Sequence, residues 1–137
     1  MEYTFKEFTG RNVRLENRIT VTKSHSIGLP TNFFKKNNIA NFKYVVLFYD
    51  EEKKAIGIHF TNDENKNNKF AIIKNTAGNG GSVVTRSFFK TFNIDTEIYY
   101  GRYEWTTLEV EGTGKIYVIN LKENKKHLPA TTTVSSS

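Results

Sequence analysis

The chain has 137 residues, a length that suits a single domain with its own hydrophobic core, and it contains no cysteine. Disulfide bonds and thiolate chemistry are therefore excluded, and without a long apolar run or a signal-peptide core the protein is expected to be cytoplasmic. The formal net charge is +6, from 20 basic and 14 acidic side chains, and the chain holds 11 Phe and 7 Tyr. This composition predicts a strand-rich fold around an aromatic core.

Two segments of the chain share one sequence pattern, which predicts an internal duplication. When Ile39 is set against Ile94, five identical pairs fall within seven positions, and Tyr44 then matches Tyr99 further along. The other identical pairs are Phe33 with Phe88, Phe34 with Phe89, Lys35 with Lys90 and Asn38 with Asn93. Repeat one is predicted over about residues 18–60 and repeat two over about residues 70–121.

Each repeat is predicted to contain two strands, a short helix and two more strands. In repeat one the strands are expected at residues 18–23, 27–29, 44–49 and 55–60, with the helix on the first Phe-Phe-Lys triplet. Pro30 ends the second strand, because proline has no backbone N–H for the ladder and its fixed φ suits the start of a helix. In repeat two the strands are expected at residues 70–74, 82–84, 98–110 and 115–121, with the helix on the second triplet.

The two repeats predict one mainly β domain with two short helices, a pseudo-twofold β-barrel over residues 1–121. Each half exposes an apolar face, and the two faces are expected to bury one another. Residues 62–69 are polar and are expected to link the repeats. Residues 122–137 lack apolar periodicity and are expected to form a disordered tail.

The sequence of repeat one resembles the AbrB/MazE/SpoVT swapped-hairpin family. The resemblance rests on residues 26–30 (SIGLP), residues 33–39 (FFKKNNI) and the two strands around an acidic turn in residues 44–60. It covers residues 18–60, and more weakly residues 70–121, where Val84 and Thr85 replace the Leu-Pro pair. In that family two short chains form one barrel and bind DNA through basic residues near the N-terminal hairpins. The resemblance therefore implies a fused dimer in one chain, which is expected to be a monomer.

The charges are distributed in the same way in both repeats. Residues 11–43 carry seven basic side chains and one acid, and residues 66–90 carry five basic side chains and no acid. Residues 44–65 and 91–121 each hold three more acids than bases. If a pseudo-twofold brings the first halves together, they form one basic face suited to the phosphates of double-stranded DNA.

The candidate nucleic-acid contacts come from this predicted basic face. The residues are Arg11, Arg14, Arg18, Lys23, His25, Lys74, Asn79 and Arg86, with Lys35, Lys36 and Lys90 as further phosphate contacts. Double-stranded DNA is the expected partner, in a regulatory or chromatin-associated role. The plainer interpretation, that these are ordinary solvated lysines and arginines, stays open.

The aromatic, histidine and acidic residues bear on other possible functions. Trp105 with Tyr99, Tyr100, Tyr103 and Tyr117 has the residue types that stack single-stranded bases, although strand packing explains them as well. The three histidines are scattered, so no metal site or cofactor is expected. The chain shows no clustered acid–base set, so no enzyme is expected.

The main alternative is a protein-interaction module, antitoxin-like or an adaptor. In that case the polar tail or an exposed strand edge would engage a protein partner. No membrane partner is expected.

Overall fold

The computed structural model describes residues 17–76 and 80–123. These residues form nine strands, three short α-helices and a 3-10 turn at Ile39–Asn41. In repeat one the elements are β1 (Ile19–Val21), β2 (Ser26–Leu29), α1 (Thr31–Lys36), β3 (Tyr44–Asp50) and β4 (Ala55–Thr61). In repeat two they are β5 (Lys69–Lys74), β6 (Gly81–Val84), α2 (Arg86–Thr91), α3 (Thr96–Tyr99), β7 (Gly101–Tyr103), β8 (Trp105–Val110) and β9 (Gly114–Asn120).

The strands form one antiparallel sheet in the order β7-β1-β2-β6-β5-β3-β4-β9-β8. Its two end strands, β7 and β8, are consecutive in the chain and separated by Glu104 alone, so the sheet curves into a nearly closed barrel. The predicted mainly β fold is confirmed.

The repeats exchange strands with one another. β3 of repeat one pairs with β5 of repeat two, and β7 of repeat two pairs with β1 of repeat one. Equivalent strands meet at two places, where β2 pairs with β6 and β4 pairs with β9. Each repeat is therefore completed by the other, around a pseudo-twofold axis.

The two helices that carry the Phe pairs end in the same way. Asn38 follows α1 and Asn93 follows α2, and both have φ near +56°. Asparagine tolerates this left-handed conformation better than most residues and stops a helix there. Two residues matched in sequence thus perform the same local task in both repeats.

Aromatic side chains from both repeats fill the core. Phe33 is fully buried and makes edge-on contacts with Trp105 and Tyr117 of repeat two, at centroid distances of 5.2 and 5.3 Å. In the reverse direction, Tyr49 of repeat one contacts Phe88 of repeat two edge-on at 6.2 Å. Edge-on aromatic pairs of this kind stabilise beyond the area that they bury.

One predicted strand is wrong. Residues 98–110 do not form a single strand, because α3 occupies the start of this stretch and the remainder is divided into β7 and β8. The Asp95 side chain caps α3 by accepting a hydrogen bond from the backbone N–H of Glu97 at 2.9 Å. Gly101 then has φ of +143°, a conformation that L residues rarely adopt, at the turn into β7. The fold thus has a third short helix in addition to the two predicted.

Candidate nucleic-acid interface

The first halves of the two repeats lie side by side in the barrel. Strands β1 and β2 of repeat one and β6 and β5 of repeat two are consecutive in the sheet. The pairing of Ile27 with Val83 places two buried residues opposite each other at the middle of the β2–β6 ladder. The geometry on which the predicted basic face depends is therefore present.

The described parts of these halves contain basic side chains and no acid. No Asp or Glu occurs in residues 17–43, 69–76 or 80–94. We call the surface of these segments the first-half surface. Its basic residues are Arg18, Lys23, Lys35, Lys36, Lys43, Lys69, Lys74, Arg86 and Lys90.

One end of the β2–β6 ladder carries the β1–β2 turn, held against the start of α2. The backbone carbonyl of His25 accepts two hydrogen bonds from Thr85, from its N–H at 3.0 Å and its hydroxyl at 3.1 Å. The Thr96 hydroxyl donates to the carbonyl of Lys23 at 3.2 Å, and the Lys23 ammonium lies 4.5 Å from the centre of the Tyr100 ring. Repeat two therefore positions the basic turn of repeat one.

The turn and α2 border a cleft of about 540 Å³. His25, Arg86 and Lys90 line it, and Arg86 and Lys90 lie four residues apart, on one face of α2. The His25 Nδ1 is buried and has no hydrogen-bond partner within the described residues. Asp95 and Glu97 line the same cleft, so its charge is mixed rather than uniformly basic.

The other end of the ladder carries the equivalent turn of repeat two. Lys74, the last residue of β5, donates from its ammonium to the carbonyl of Ala40 at 2.9 Å. A second cleft, of about 400 Å³, lies between this turn and the start of α1 and is lined in part by Thr31, Asn75 and Gly80. Each hairpin turn thus packs near the helix start of the opposite repeat.

The surface between the two ends carries small side chains at its centre. Residues paired across the strands form an outward-facing row of Ile73, Ser82, Gly28, Thr20 and Arg102. Ser82, Gly28 and Thr20 in the middle of this row are short and half-buried, and Ile73 at one end is exposed. The cations lie at the ends and sides of the row rather than in its centre.

The remaining candidate residues are placed apart from this row. Arg18 precedes β1, at the end of that strand away from Lys23. It lines a separate cleft of about 440 Å³ together with Arg102, Lys122 and the acids Glu104 and Glu123. Lys35 and Lys36 are exposed on the last turn of α1. Arg11, Arg14 and Asn79 lie outside the described residues.

Four of the five aromatic residues considered for base stacking pack in or against the barrel core, namely Tyr99, Tyr103, Trp105 and Tyr117. Tyr100 is half-buried and lies beneath the Lys23 ammonium. Tyr103 and Tyr117 are buried, and Trp105 packs against the core while its indole N–H donates to the carbonyl of Asn17 at 2.8 Å. Within residues 17–76 and 80–123 no cluster of three or more metal-ligating side chains occurs. Thr85 and Thr96 hold the β1–β2 turn in place, a role that no local sequence signal predicts.

None of the described helices has the length and apolar composition needed to cross a membrane. No protein-family model, curated protein or solved structure matches this chain.

Proposed function

We propose that the protein binds double-stranded DNA through the first-half surface. The observation that carries this proposal is the β2–β6 ladder, which joins two acid-free segments about a pseudo-twofold axis. Basic side chains lie at both ends of that ladder, Lys23 and Arg86 at one and Lys74 at the other. A duplex has its own twofold symmetry, which a twofold protein surface can follow.

The charges near the ladder set the expected salt dependence. Lys23, Lys74, Arg86 and Lys90 supply four cations, and four phosphate contacts give a slope of about −3.6 in log K against log salt concentration. Affinity should then fall by roughly 150-fold between about 50 and about 200 mM salt. His25 and the short side chains of the row would lie nearest to the base edges.

We infer further that the chain is a fused form of the AbrB/MazE/SpoVT swapped-hairpin barrel. The exchange of strands between repeats supports this inference, because β3 pairs with β5 and β7 pairs with β1. A two-chain barrel of that family, joined by residues 62–68, would have this connectivity. The β1–β2 turn with Lys23, and Lys74 before the β5–β6 turn, would then occupy the positions that the resemblance implies for DNA contacts.

The test is a titration of the chain against a labelled random duplex and its matching single strand, at low and at high salt. The double variant Arg86→Glu with Lys90→Glu should weaken duplex binding at least tenfold, because it replaces two phosphate contacts with repulsion. The matched control is Lys53→Glu with Lys54→Glu, the same charge change in the exposed β3–β4 turn. It should alter binding far less.

Three results would count against the proposal. Equal losses in both double variants would show that net charge, rather than the first-half surface, governs binding. Tighter binding to the single strand would point away from a duplex site. No binding to either probe at the lower salt concentration would reject nucleic-acid binding altogether.

A further inference from the structure

The outer face of strands β3, β4, β9 and β8 carries a group of apolar side chains. Val45 and Ile58 point into the core, so the alternate residues of these strands point outward. We call this surface the apolar face. Its apolar residues are Val46, Phe48, Ala55, Leu108, Val110, Ile116 and Val118.

Several of these side chains pack on one another outside the main core. Ile116 is buried but does not belong to the core cluster, and its side chain lies over Gly57, where an added Cβ would come within 2.9 Å of it. Phe48 and Leu108 flank this area and remain 40% and 55% exposed. Between them lies a depression of about 310 Å³. The largest apolar patch on a typical monomer covers about 300 to 600 Å² and often marks a functional surface.

We propose that the apolar face is a dimerisation surface for a second copy of this chain. The face has its own pseudo-twofold axis, because Phe48 on β3 and Leu108 on β8 lie at corresponding positions on either side of the β4–β9 pair. An isologous contact requires a patch that complements itself. Here each copy offers protruding apolar side chains and a depression that can receive those of the other.

The charges of the apolar face are compatible with contact between two copies. Among the outward strand positions, Asp50 at one corner is the single carboxylate, and His59 is tied by its Nδ1 to the backbone carbonyl of Lys115 at 2.9 Å. Two apolar faces in contact therefore bring few like charges together. Six of the eight acids in residues 44–64 and 104–111 lie in the connections between strands, and Asp50 and Glu109 lie on strands.

The dimensions of the apolar face determine the expected affinity of the dimer. Four strands about 4.8 Å apart, with about five residues rising about 3.4 Å each, span roughly 19 by 17 Å. The product is about 320 Å², less than half of the roughly 800 Å² that each partner buries in a stable complex of standard size. We therefore expect a weak, reversible dimer with a dissociation constant on the order of 100 μM.

The experiment is sedimentation of the full chain over a range from about 10 to about 500 μM, with no DNA present. Leu108→Glu should raise the dissociation constant at least tenfold, because a twofold contact places two carboxylates in an apolar interface. Ile73→Glu is the matched control, since Ile73 on the first-half surface is 54% exposed. It should leave the dimer unchanged, and circular dichroism should show both variants folded.

Each other outcome overturns the proposal. A wild-type chain that stays monomeric throughout leaves the apolar face to a different occupant. A monomer that dimerises after removal of residues 124–137 would identify the chain's own C-terminal segment as that occupant. Loss of the dimer in Ile73→Glu but not in Leu108→Glu would place the interface on the opposite side. Dissociation by added salt would indicate a charge-driven contact.

A dimer through the apolar face would direct the two first-half surfaces away from each other. This consequence rests on the proposed DNA binding, and it would allow one dimer to hold two duplexes. Because sedimentation is measured without DNA, failure of the dimer and failure of DNA binding are distinguished.

Discussion

Replacement of Phe33 by Ala tests whether the core is shared between the repeats. Phe33 is fully buried and contacts Trp105 and Tyr117 of repeat two, together with Phe60 of its own repeat at 6.2 Å. Removal of a buried phenyl ring costs the lost transfer free energy and leaves a cavity, about 3 to 5 kcal/mol in total. A domain of this size has a free energy of unfolding of about 5 to 15 kcal/mol. The variant should therefore fold, but with a much lower midpoint of unfolding.

The assay is urea unfolding followed by fluorescence, because Trp105 is the single tryptophan of the chain and lies against Phe33. Phe48→Ala is the control, since Phe48 packs outside the main core and is 40% exposed. It should cost about 1 kcal/mol or less. A loss below about 1 kcal/mol in Phe33→Ala, or equal losses in the two variants, would refute a core built across the repeats.

The remaining predictions concern a buried hydroxyl and two glycines. Burial raises the pKa of Tyr103 above its ordinary value near 10. The neutral phenol therefore stabilises the fold below that pH, and this stabilisation is lost as the pH rises through the folded-state pKa. Tyr103→Phe should cost about 1 to 3 kcal/mol near pH 8, because it removes the donor to the carbonyl of Lys122 at 2.9 Å. The deficit should narrow near pH 11 in urea titrations, and a constant deficit would contradict this account. Gly81→Ala should destabilise by more than about 2 kcal/mol, because its Cβ would lie 2.7 Å from a backbone oxygen. Gly57→Ala, whose Cβ would lie 2.9 Å from the Cγ2 methyl of Ile116 rather than from backbone, should cost less in the same thermal melts. The opposite order would contradict the packing described.

Local sequence signals predicted most strands to within one or two residues. The strand expected at residues 55–60 is observed at Ala55–Thr61, and the one expected at residues 70–74 is observed at Lys69–Lys74. Alternation of apolar and polar residues, with polar turns between strands, is a short-range signal that does not depend on tertiary contacts. Residues 98–110 were wrongly predicted to form one strand, because their aromatic and β-branched residues favour strands. The Asp95 cap and Gly101 instead divide this stretch.

The candidate interface was predicted less completely. The clustering of basic residues was visible in the sequence, and the β2–β6 pairing brings those segments together as expected. The distance of Arg18 from the β1–β2 turn and the acids in the α2 cleft could not be read from charge counts. Both depend on contacts between residues far apart in the chain. The apolar face was missed for the same reason, since its residues come from four strands.

The sequence by itself determined the class of fold, the matched Phe-Phe-Lys helices and the polarity of charge in each repeat, because these depend on residues close together along the chain. Only the tertiary structure decided that strands of one repeat pair with strands of the other. In the sequence, β1 of its own repeat and β5 of repeat two are equally suitable partners for β3. The choice is made by packing, since Phe33 finds its aromatic partners Trp105 and Tyr117 in repeat two. The exchange of strands places the two basic segments together at the β2–β6 ladder and leaves an apolar surface over the β4–β9 ladder.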